Sequence, residues 1–316
     1  MNNINVNLYS YGYSLNFLKL NIPHINLISL IKEHEYLNPE GFELPIDSFF
    51  KTIKELKNFL QIFKDKYKLS ICFDNILNIN EDLLICLISE NINQVRIRMP
   101  QTGKTIYGGN KHLYQNFDEQ FNDFINQLNK FKSFCLSHNM KFCIENHQDL
   151  HSEDLLKIIN VLGSDFIGIN WDIGNSIACC ERPDEFYQNC KDFIFNIHLK
   201  DYHIVKKHSY IKLVRARFGE GFLKECNPSK YVNLNVSKSL ELGSQISRKC
   251  FIFNDLYWIS NGKKNKQMKT FCDFIEDVAC LNDYKSDYEN NLSHNNIVRN
   301  EKYDFELSYK KVKEYI

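Results

Sequence analysis

The chain has 316 residues, and its 39 lysines and arginines balance its 39 aspartates and glutamates, so no net field would attract nucleic acid or an anionic membrane. It contains no run of about 18 or more apolar residues and no basic, apolar stretch at its N-terminus, so we expect neither a membrane span nor a signal peptide. Its 11 cysteines are scattered without a CxxC pair, and several lie in apolar runs, which indicates reduced thiols in a cytoplasmic protein.

Apolar runs of strand length alternate with longer amphipathic stretches from the start of the chain to about residue 280. We predict eight strands, at residues 5–9, 41–44, 68–73, 94–99, 141–145, 166–172, 193–198 and 234–241. The stretches between them have helical periodicity, as in FDEQFNDFINQLNKFKSFCLSHN, where apolar residues recur at spacings of three and four. Eight strand–helix units close naturally into a barrel, so the predicted fold is an α/β protein of the (β/α)8 TIM-barrel type.

The C-terminal part of the chain differs in character. After about residue 282 the alternation is lost and the sequence becomes polar, although KYDFELSYKKVKEYI has the pattern of one amphipathic helix. We therefore expect a TIM-barrel catalytic domain at 1–282, followed by a polar C-terminal extension at 283–316.

Four of the predicted strands end on side chains that bind divalent metals: Glu145, Asp172, His198 and Glu241. The carboxyl ends of barrel strands share one face, and burying charge there costs several kcal/mol unless it is paired or metal-bound. The pattern therefore predicts one metal site, for which three other glutamates remain open as alternatives to the last ligand: Glu43, Glu220 and Glu225.

The type of ligand indicates the type of metal. Three carboxylates and one imidazole suit Mn²⁺, Mg²⁺ or Co²⁺ with open positions for substrate oxygens, whereas a structural Zn²⁺ site would use more Cys and His. Mn²⁺ is our first expectation, and Mg²⁺, Co²⁺ and Zn²⁺ are the alternatives. The residues two before each ligand face inward one layer deeper and could hold the ligands in place: Cys143, Asn170, Asn196 and Ser239.

Five motifs in this order resemble the xylose isomerase-like TIM-barrel superfamily, which includes the sugar phosphate isomerase/epimerase family and the D-tagatose 3-epimerase type. They are IENHQD, WDIGN, HLKDY, FGEG and LELG, and GFELP near the N-terminus is also typical. The resemblance covers about residues 140 to 275. One departure is Asn175, where epimerases of the tagatose type often carry a histidine, so that particular specificity is in doubt.

The resemblance implies a metal-dependent isomerase or epimerase of a sugar, sugar phosphate or related hydroxy-carbonyl compound. Glu145 and Glu241 would be the catalytic residues, moving a proton next to the carbonyl through an enediolate that the metal stabilises. His147 and Lys200 would face the mouth of the pocket and bind substrate there, and Arg215 would also bind substrate. Surface exposure is the alternative for the first two, and pairing with a nearby carboxylate is the alternative for Arg215.

Three other functions remain as alternatives. A keto-polyol dehydratase would use the same site and the same intermediate but expel hydroxide. An apurinic-site endonuclease shares the fold, yet it needs additional His ligands on earlier strands, and the neutral net charge argues against DNA binding. A non-catalytic barrel would have no reason to keep four buried charged side chains. The expected partner is a small carbohydrate, and barrels of this kind often pair, so the oligomeric state stays open to a homodimer.

Overall fold

The computed structural model describes residues 4–100, 117–253, 258 and 265–316. Eight parallel strands form a closed barrel: β1 Asn5–Asn7, β2 Gly41–Pro45, β3 Lys68–Phe73, β4 Gln94–Ile97, β5 Lys141–Glu145, β6 Ile167–Asp172, β7 Ile194–Leu199 and β10 Ser237–Leu240. Their order around the barrel is β1-β10-β7-β6-β5-β4-β3-β2. The predicted TIM barrel is confirmed, and all eight predicted strands are present with bounds that differ by at most a few residues.

Helices surround the barrel: α1 Leu27–Glu33, α2 Ile53–Phe63, α3 Glu81–Ser89, α4 Phe117–Ser137, α5 Ser152–Leu162, α6 Ile173–Ala178, α7 Pro183–Cys190, α8 Ser229–Val232, α9 Asn265–Val278 and α10 His294–Glu314. Side-chain caps begin several of them, because the first backbone N–H groups of a helix have no partner within it. The Thr52 hydroxyl accepts from the Glu55 N–H at the start of α2. Within the described part of the chain, no helix has the length and apolar character needed to cross a membrane.

A second, antiparallel sheet stands beside the barrel and was not predicted. It contains β8 Tyr202–Lys206, β9 Ile211–Arg215 and β11 Arg248–Cys250, in the order β11-β9-β8. β8 and β9 follow directly after β7, and β11 follows β10, so the sheet lies next to the carboxyl ends of two barrel strands. This position makes it part of the surroundings of the site.

Helix α10 packs on the barrel. Its side chains Phe305, Tyr309 and Val312 are buried in the same hydrophobic core as the barrel strands. The buried Glu301 carboxylate accepts hydrogen bonds from the Tyr13 N–H at 3.1 Å and the Ser14 N–H at 2.9 Å, just beyond β1. The division at residue 282 stays a prediction about domain organisation.

All 11 cysteines lie in the described residues, and none forms a disulfide. Eight of them are buried and three are partly buried. They therefore contribute to packing as small apolar side chains.

Candidate metal centre

Three of the predicted ligands meet at the carboxyl ends of adjacent strands. Glu145 ends β5, Asp172 ends β6, and His198 lies one residue before the end of β7. All three side chains are fully buried, and one ligand atom from each lies within 4.8 Å of the others. Glu241 directly follows β10, and its Oε2 lies 2.9 Å from His198 Nδ1. The structure thus brings together all four side chains predicted to hold a metal.

The orientation of His198 fits metal binding. Its Nε2 lies 2.8 Å from Glu43 Oε1, while its Nδ1 faces the other carboxylates. The nearest oxygens of Glu241, Glu145 and Asp172 are 2.9, 3.8 and 3.9 Å from Nδ1. Nδ1 makes no aligned hydrogen bond to any described residue. Such a nitrogen, opposite one that bonds to a carboxylate, is the usual arrangement of a metal-ligating histidine.

Asparagines one layer deeper in the barrel contact the candidate ligands. Asn170 Nδ2 lies 3.1 Å from His198 Nε2, and Asn196 Nδ2 donates to Asn170 Oδ1 at 2.6 Å. Two of the four side chains expected in this deeper layer are therefore hydrogen-bonded to each other next to the imidazole. Asn7 on β1 donates to Glu241 Oε2 at 2.8 Å, a contact that the sequence did not predict.

Asn175 connects two of the ligands. Its backbone N–H donates to Asp172 Oδ1 at 2.9 Å, so Asp172 also caps α6. Its side-chain amide donates to Asp172 Oδ2 at 2.8 Å and to Glu145 Oε1 at 3.1 Å. The position where the sequence departs from the tagatose-type pattern thus fixes the geometry of the carboxylates.

Lys200 is buried rather than placed at the pocket mouth. Its side chain is 1 % exposed, and its Nζ contacts the carboxylates of Asp172 and Glu241. Although burial lowers the pKa of Lys200, the two carboxylates raise it above the ordinary value, so the ammonium stays charged. The expected position at the mouth was wrong, because two buried carboxylates attract the ammonium inward. A role in substrate binding stays a prediction.

Arg96 on β4 is a site residue that the sequence analysis missed. Its buried guanidinium contacts Glu145 and lies 3.1 Å from Asp74 Oδ1. It also stands 5.1 Å from the ring centroid of Tyr9. The available signal was an arginine inside the apolar run QVRI of a barrel strand, where a buried charge needs a partner.

The charges of the inner cluster leave room for a divalent cation. Four buried carboxylates surround the imidazole: Glu43, Glu145, Asp172 and Glu241. Two side-chain cations, Arg96 and Lys200, contact them directly. Four negative charges less two positive charges leave two negative charges once His198 has given up its Nδ1 proton, as metal binding requires. Together with the unbonded nitrogen of His198, this balance fits a divalent ion bound by carboxylate oxygens and one imidazole. Without an ion, burial acts to lower the pKa of His198, but Glu43 and Glu241 outweigh it and raise that pKa well above its ordinary value, so the imidazole is charged.

Burial and neighbours shift the pKa values of three of these carboxyl groups in different directions. Burial raises the pKa of Asp172 above its ordinary value, although Lys200 acts against it. Burial also acts to raise the pKa of Glu43, but the charge and hydrogen bond of His198 outweigh it and lower that pKa to about 2. The pKa of Glu241 is lowered as well, because Lys200 and His198 together outweigh burial. Glu43 and Glu241 are therefore ionised at neutral pH.

A cavity of about 760 Å³ opens beside the centre, and its lining includes Glu241, Arg96 and His147. His147 faces it, as expected for a substrate-binding residue, although that role stays a prediction. Its Nε2 accepts a hydrogen bond from Arg98 Nη1 at 2.9 Å. Burial and the positive charge of Arg98 lower the pKa of His147 well below its ordinary value, so the imidazole is neutral.

Arg215 does not face this cavity. Its Nη1 donates to the carbonyl oxygens of Ser10 and Gly243, each at 2.9 Å, and its Nη2 donates to the Glu301 carbonyl at 3.4 Å. These bonds connect the end of β9 to the segments that follow β1 and β10 and to α10. A structural role accounts for this position, and a contact of Arg215 with substrate stays a prediction.

The three alternatives to Glu241 occupy different places. Glu220 and Glu225 have side chains that are 56 % and 52 % exposed and are paired with surface cations, so they lie outside the centre. Glu43 is inside it but on the far side of His198, at Nε2. Glu241 is the glutamate of this group that faces Nδ1 and the cavity.

The fold of the chain is similar to that of the xylose isomerase-like TIM barrels. Residues 90–230, just under half of the chain, match the family model of that description. The resemblance inferred from the motifs is confirmed by this match.

Three solved structures show the same fold at low identity. The probable 3-DHS dehydratase AsbF from Bacillus anthracis is 14% identical, with a TM-score of 0.54 over 85% of this chain and 98% of that one. An L-ribulose 3-epimerase is 9% identical, with a TM-score of 0.53 over 99% and 96%. A D-psicose 3-epimerase solved in the presence of D-fructose is 12% identical, with a TM-score of 0.51 over 87% and 99%. At these identities the likeness concerns the fold.

A curated relative matches over a shorter stretch. The 3-oxo-isoapionate decarboxylase of Pectobacterium atrosepticum is 24% identical over 74 residues, which are 23% of this chain. The match spans 27% of the length of that relative.

Proposed function

We propose that the protein is a divalent-metal-dependent isomerase or epimerase acting on a sugar, a sugar phosphate or a related hydroxy-carbonyl compound. The observation that carries the proposal is the convergence of Glu145, Asp172, His198 and Glu241 at the ends of four neighbouring barrel strands, with His198 Nδ1 facing three carboxylates. The similar folds of L-ribulose and D-psicose 3-epimerases support a hydroxy-carbonyl substrate.

The four converging side chains would hold the ion, with Mn²⁺ as our first choice. When bound, the ion supplies Lewis-acid polarisation of a carbonyl oxygen and a neighbouring hydroxyl oxygen. Glu43 keeps the imidazole oriented through Nε2, and Asn175 keeps two carboxylates in position.

The two proposed proton-transfer residues differ in access. The Glu241 side chain lines the cavity and, ionised between Lys200 and His198, can accept a proton from a substrate carbon at a carboxylate oxygen. Glu145 is fully buried and contacted by Arg96 and Asn175. We assign Glu241 the transfer on the cavity side and Glu145 the transfer on the side of the barrel centre.

The test is exchange in D₂O with the Mn²⁺-supplemented protein and a panel of ketoses, ketose phosphates and keto acids. We expect deuterium to enter next to the carbonyl while the carbon skeleton is retained. Loss of water from the product would instead establish the dehydratase, and release of CO₂ would establish a decarboxylase like the partial relative.

Variants locate the proton transfer. We expect Glu241→Gln and Glu145→Gln each to lower kcat by roughly 10²–10⁴-fold, the range typical of positioned acids and bases. Glu220→Gln, an exposed glutamate outside the centre, is the matched control and should keep the parent rate. Full activity in both site variants, or a purified protein that binds no divalent ion, would contradict the proposal.

A further inference from the structure

Arg248 is a buried cation that forms no ion pair with a carboxylate in the described part of the chain. It is the first residue of β11, it is 7% exposed, and it lines the cavity beside the metal centre. Its Nη1 donates to Asn175 Oδ1 at 2.9 Å, and its guanidinium carbon lies 5.9 Å from the Tyr202 ring centroid. No carboxylate of the described residues forms an ion pair with it. Burying a charged group without a counter-charge is costly, so this position calls for an anion.

The other cations around the centre are paired. Arg96 contacts Glu145 and Asp74, and Lys200 contacts two ligand carboxylates. Arg98, also on the cavity wall, has its Nε 3.1 Å from Asp74 Oδ1. Direct ion pairs therefore account for these three residues, whereas the carboxylates of Asp172 and Glu241 act on Arg248 only from beyond ion-pair distance.

Arg248 is also close to the reacting end of the site. Asn175 accepts from Arg248 at Oδ1 and donates from Nδ2 to the carboxylates of Asp172 and Glu145. One amide side chain therefore separates the guanidinium from two of the proposed metal ligands. A small molecule can contact Arg248 with one group while another group of the same molecule reaches the centre.

We propose that Arg248 binds a carboxylate or phosphate group of the substrate, so that the natural substrate is an anionic hydroxy-carbonyl compound and not a neutral sugar. The proposal rests on the proposed function for the reacting end of the molecule. A guanidinium offers two parallel N–H donors to a planar carboxylate or a phosphate. Arg248 is then a specificity-determining residue, and it comes from the second, antiparallel sheet.

The test compares matched probes by calorimetric titration of the Mn²⁺-supplemented protein. D-ribulose 5-phosphate against D-ribulose forms the phosphate arm, and D-gluconate against D-glucitol forms the carboxylate arm. We expect at least one anionic probe to bind about tenfold or more tightly than its neutral counterpart, as a charge-assisted contact predicts. The arm with the larger ratio identifies the anionic group. Equal affinity within both pairs would overturn the proposal.

Variants assign the preference to this residue. Arg248→Met should reduce the ratio to less than about threefold and leave the affinity for the neutral probe unchanged. Arg248→Lys keeps the charge but loses the paired donors, so it should give an intermediate ratio of anionic to neutral affinity. This variant replaces Arg248→Met in the test if the Met variant fails to fold. Lys249→Met removes a positive charge from the next, exposed residue of the strand and should keep the parent ratio.

A parent ratio in both Arg248 variants would overturn the assignment, since chelation of the probe by the ion alone would survive these changes. The titrations need no turnover. Absence of deuterium exchange would therefore count against the proposed reaction, while loss of the anion preference would count against the role of Arg248.

Discussion

The imidazole of His198 lies between carboxylates on both of its nitrogen atoms. Glu43 holds Nε2, and three carboxylates face Nδ1. Glu43 thus contacts the proposed ligand and not the place where an ion would lie, and we propose that it is a positioning residue.

We predict that Glu43→Gln weakens metal binding. Glutamine still accepts one hydrogen bond from Nε2–H but carries no charge, so the imidazole becomes less basic. The expected loss in Mn²⁺ affinity is about 10–100-fold, as for other groups that support a ligating histidine. Calorimetric titration of metal-free protein with Mn²⁺ measures it.

The matched control for this change is Glu40→Gln. Glu40 precedes the same strand, β2, at the opposite end of the barrel, and is only partly buried. The Glu40→Gln protein should bind Mn²⁺ with the affinity of the parent protein. Equal affinities for all three proteins would mean that Glu43 does not orient His198.

A residue of the site was predictable from the sequence when it ended an apolar run that itself predicted a strand. Glu145, Asp172 and His198 end long apolar runs, and barrel geometry brings such ends together. Glu43 is 155 positions from its partner His198 and follows a run too short to indicate a buried carboxylate. Only the closed barrel places the two side by side. Arg96 was missed because its partner is likewise on another strand.

At the scale of elements, the eight barrel strands were predictable and the second, antiparallel sheet was not. Each barrel strand is an apolar run separated from the next by a helical pattern. β8 and β9 instead form a hairpin that alternates apolar residues with Lys and His, directly after β7, where a helix was expected. β11 has three residues, and the sequence RKC gives no strand signal without its partner β9.

His203 makes the stability of this sheet depend on pH. Its ring stacks on Tyr284 with centroids 3.8 Å apart, and burial, assisted by Lys224, lowers its pKa to about 4. In the unfolded chain the pKa is about 6.5, so the unfolded state binds the proton first as the pH falls. The contribution of His203 to the free energy of unfolding is complete above about pH 6.5 and is lost as the pH falls towards 4.

We therefore predict that His203→Phe loses less stability than the parent between pH 7 and pH 5. Phenylalanine keeps a ring against Tyr284 but takes up no proton. Urea unfolding at the two pH values gives the difference for each protein. His208→Phe, at an exposed position in the same hairpin, should behave as the parent. An unchanged pH dependence in His203→Phe would show that its protonation is not coupled to unfolding.

At the scale of the whole molecule, α10 joins the first part of the chain to the last. Phe305 is fully buried. The centroid of its ring lies 5.2 Å from the ring centroid of Tyr11 and 5.7 Å from that of His34. The polar composition after residue 282 led us to predict an extension outside the catalytic domain. The single apolar face of the helix left open whether it packs on the barrel or on a partner, and the structure shows it on the barrel.

We predict that the protein does not fold stably without residues 283–316. Phe305→Ala tests the same contact more gently and should cost about 3–5 kcal/mol in the free energy of unfolding, measured in urea. Tyr303→Ala is the control, since that ring is 53% exposed and should cost about 1 kcal/mol or less. A cooperative unfolding transition of the protein truncated at residue 282, at the parent urea concentration, would instead support a self-contained domain at 1–282.

The hydrogen bond from Asn7 to Glu241 spans 234 positions of the chain. Because strands β1 and β10 pair to close the barrel, this contact and the fourth carboxylate come into place only when the last barrel strand has left the ribosome. A growing chain that ends after β7 holds three of the four converging side chains without the closing strand. For the metal site that we propose, we therefore predict that metal capture is a late event in the biosynthesis of this protein, and that nascent chains do not compete for the ion.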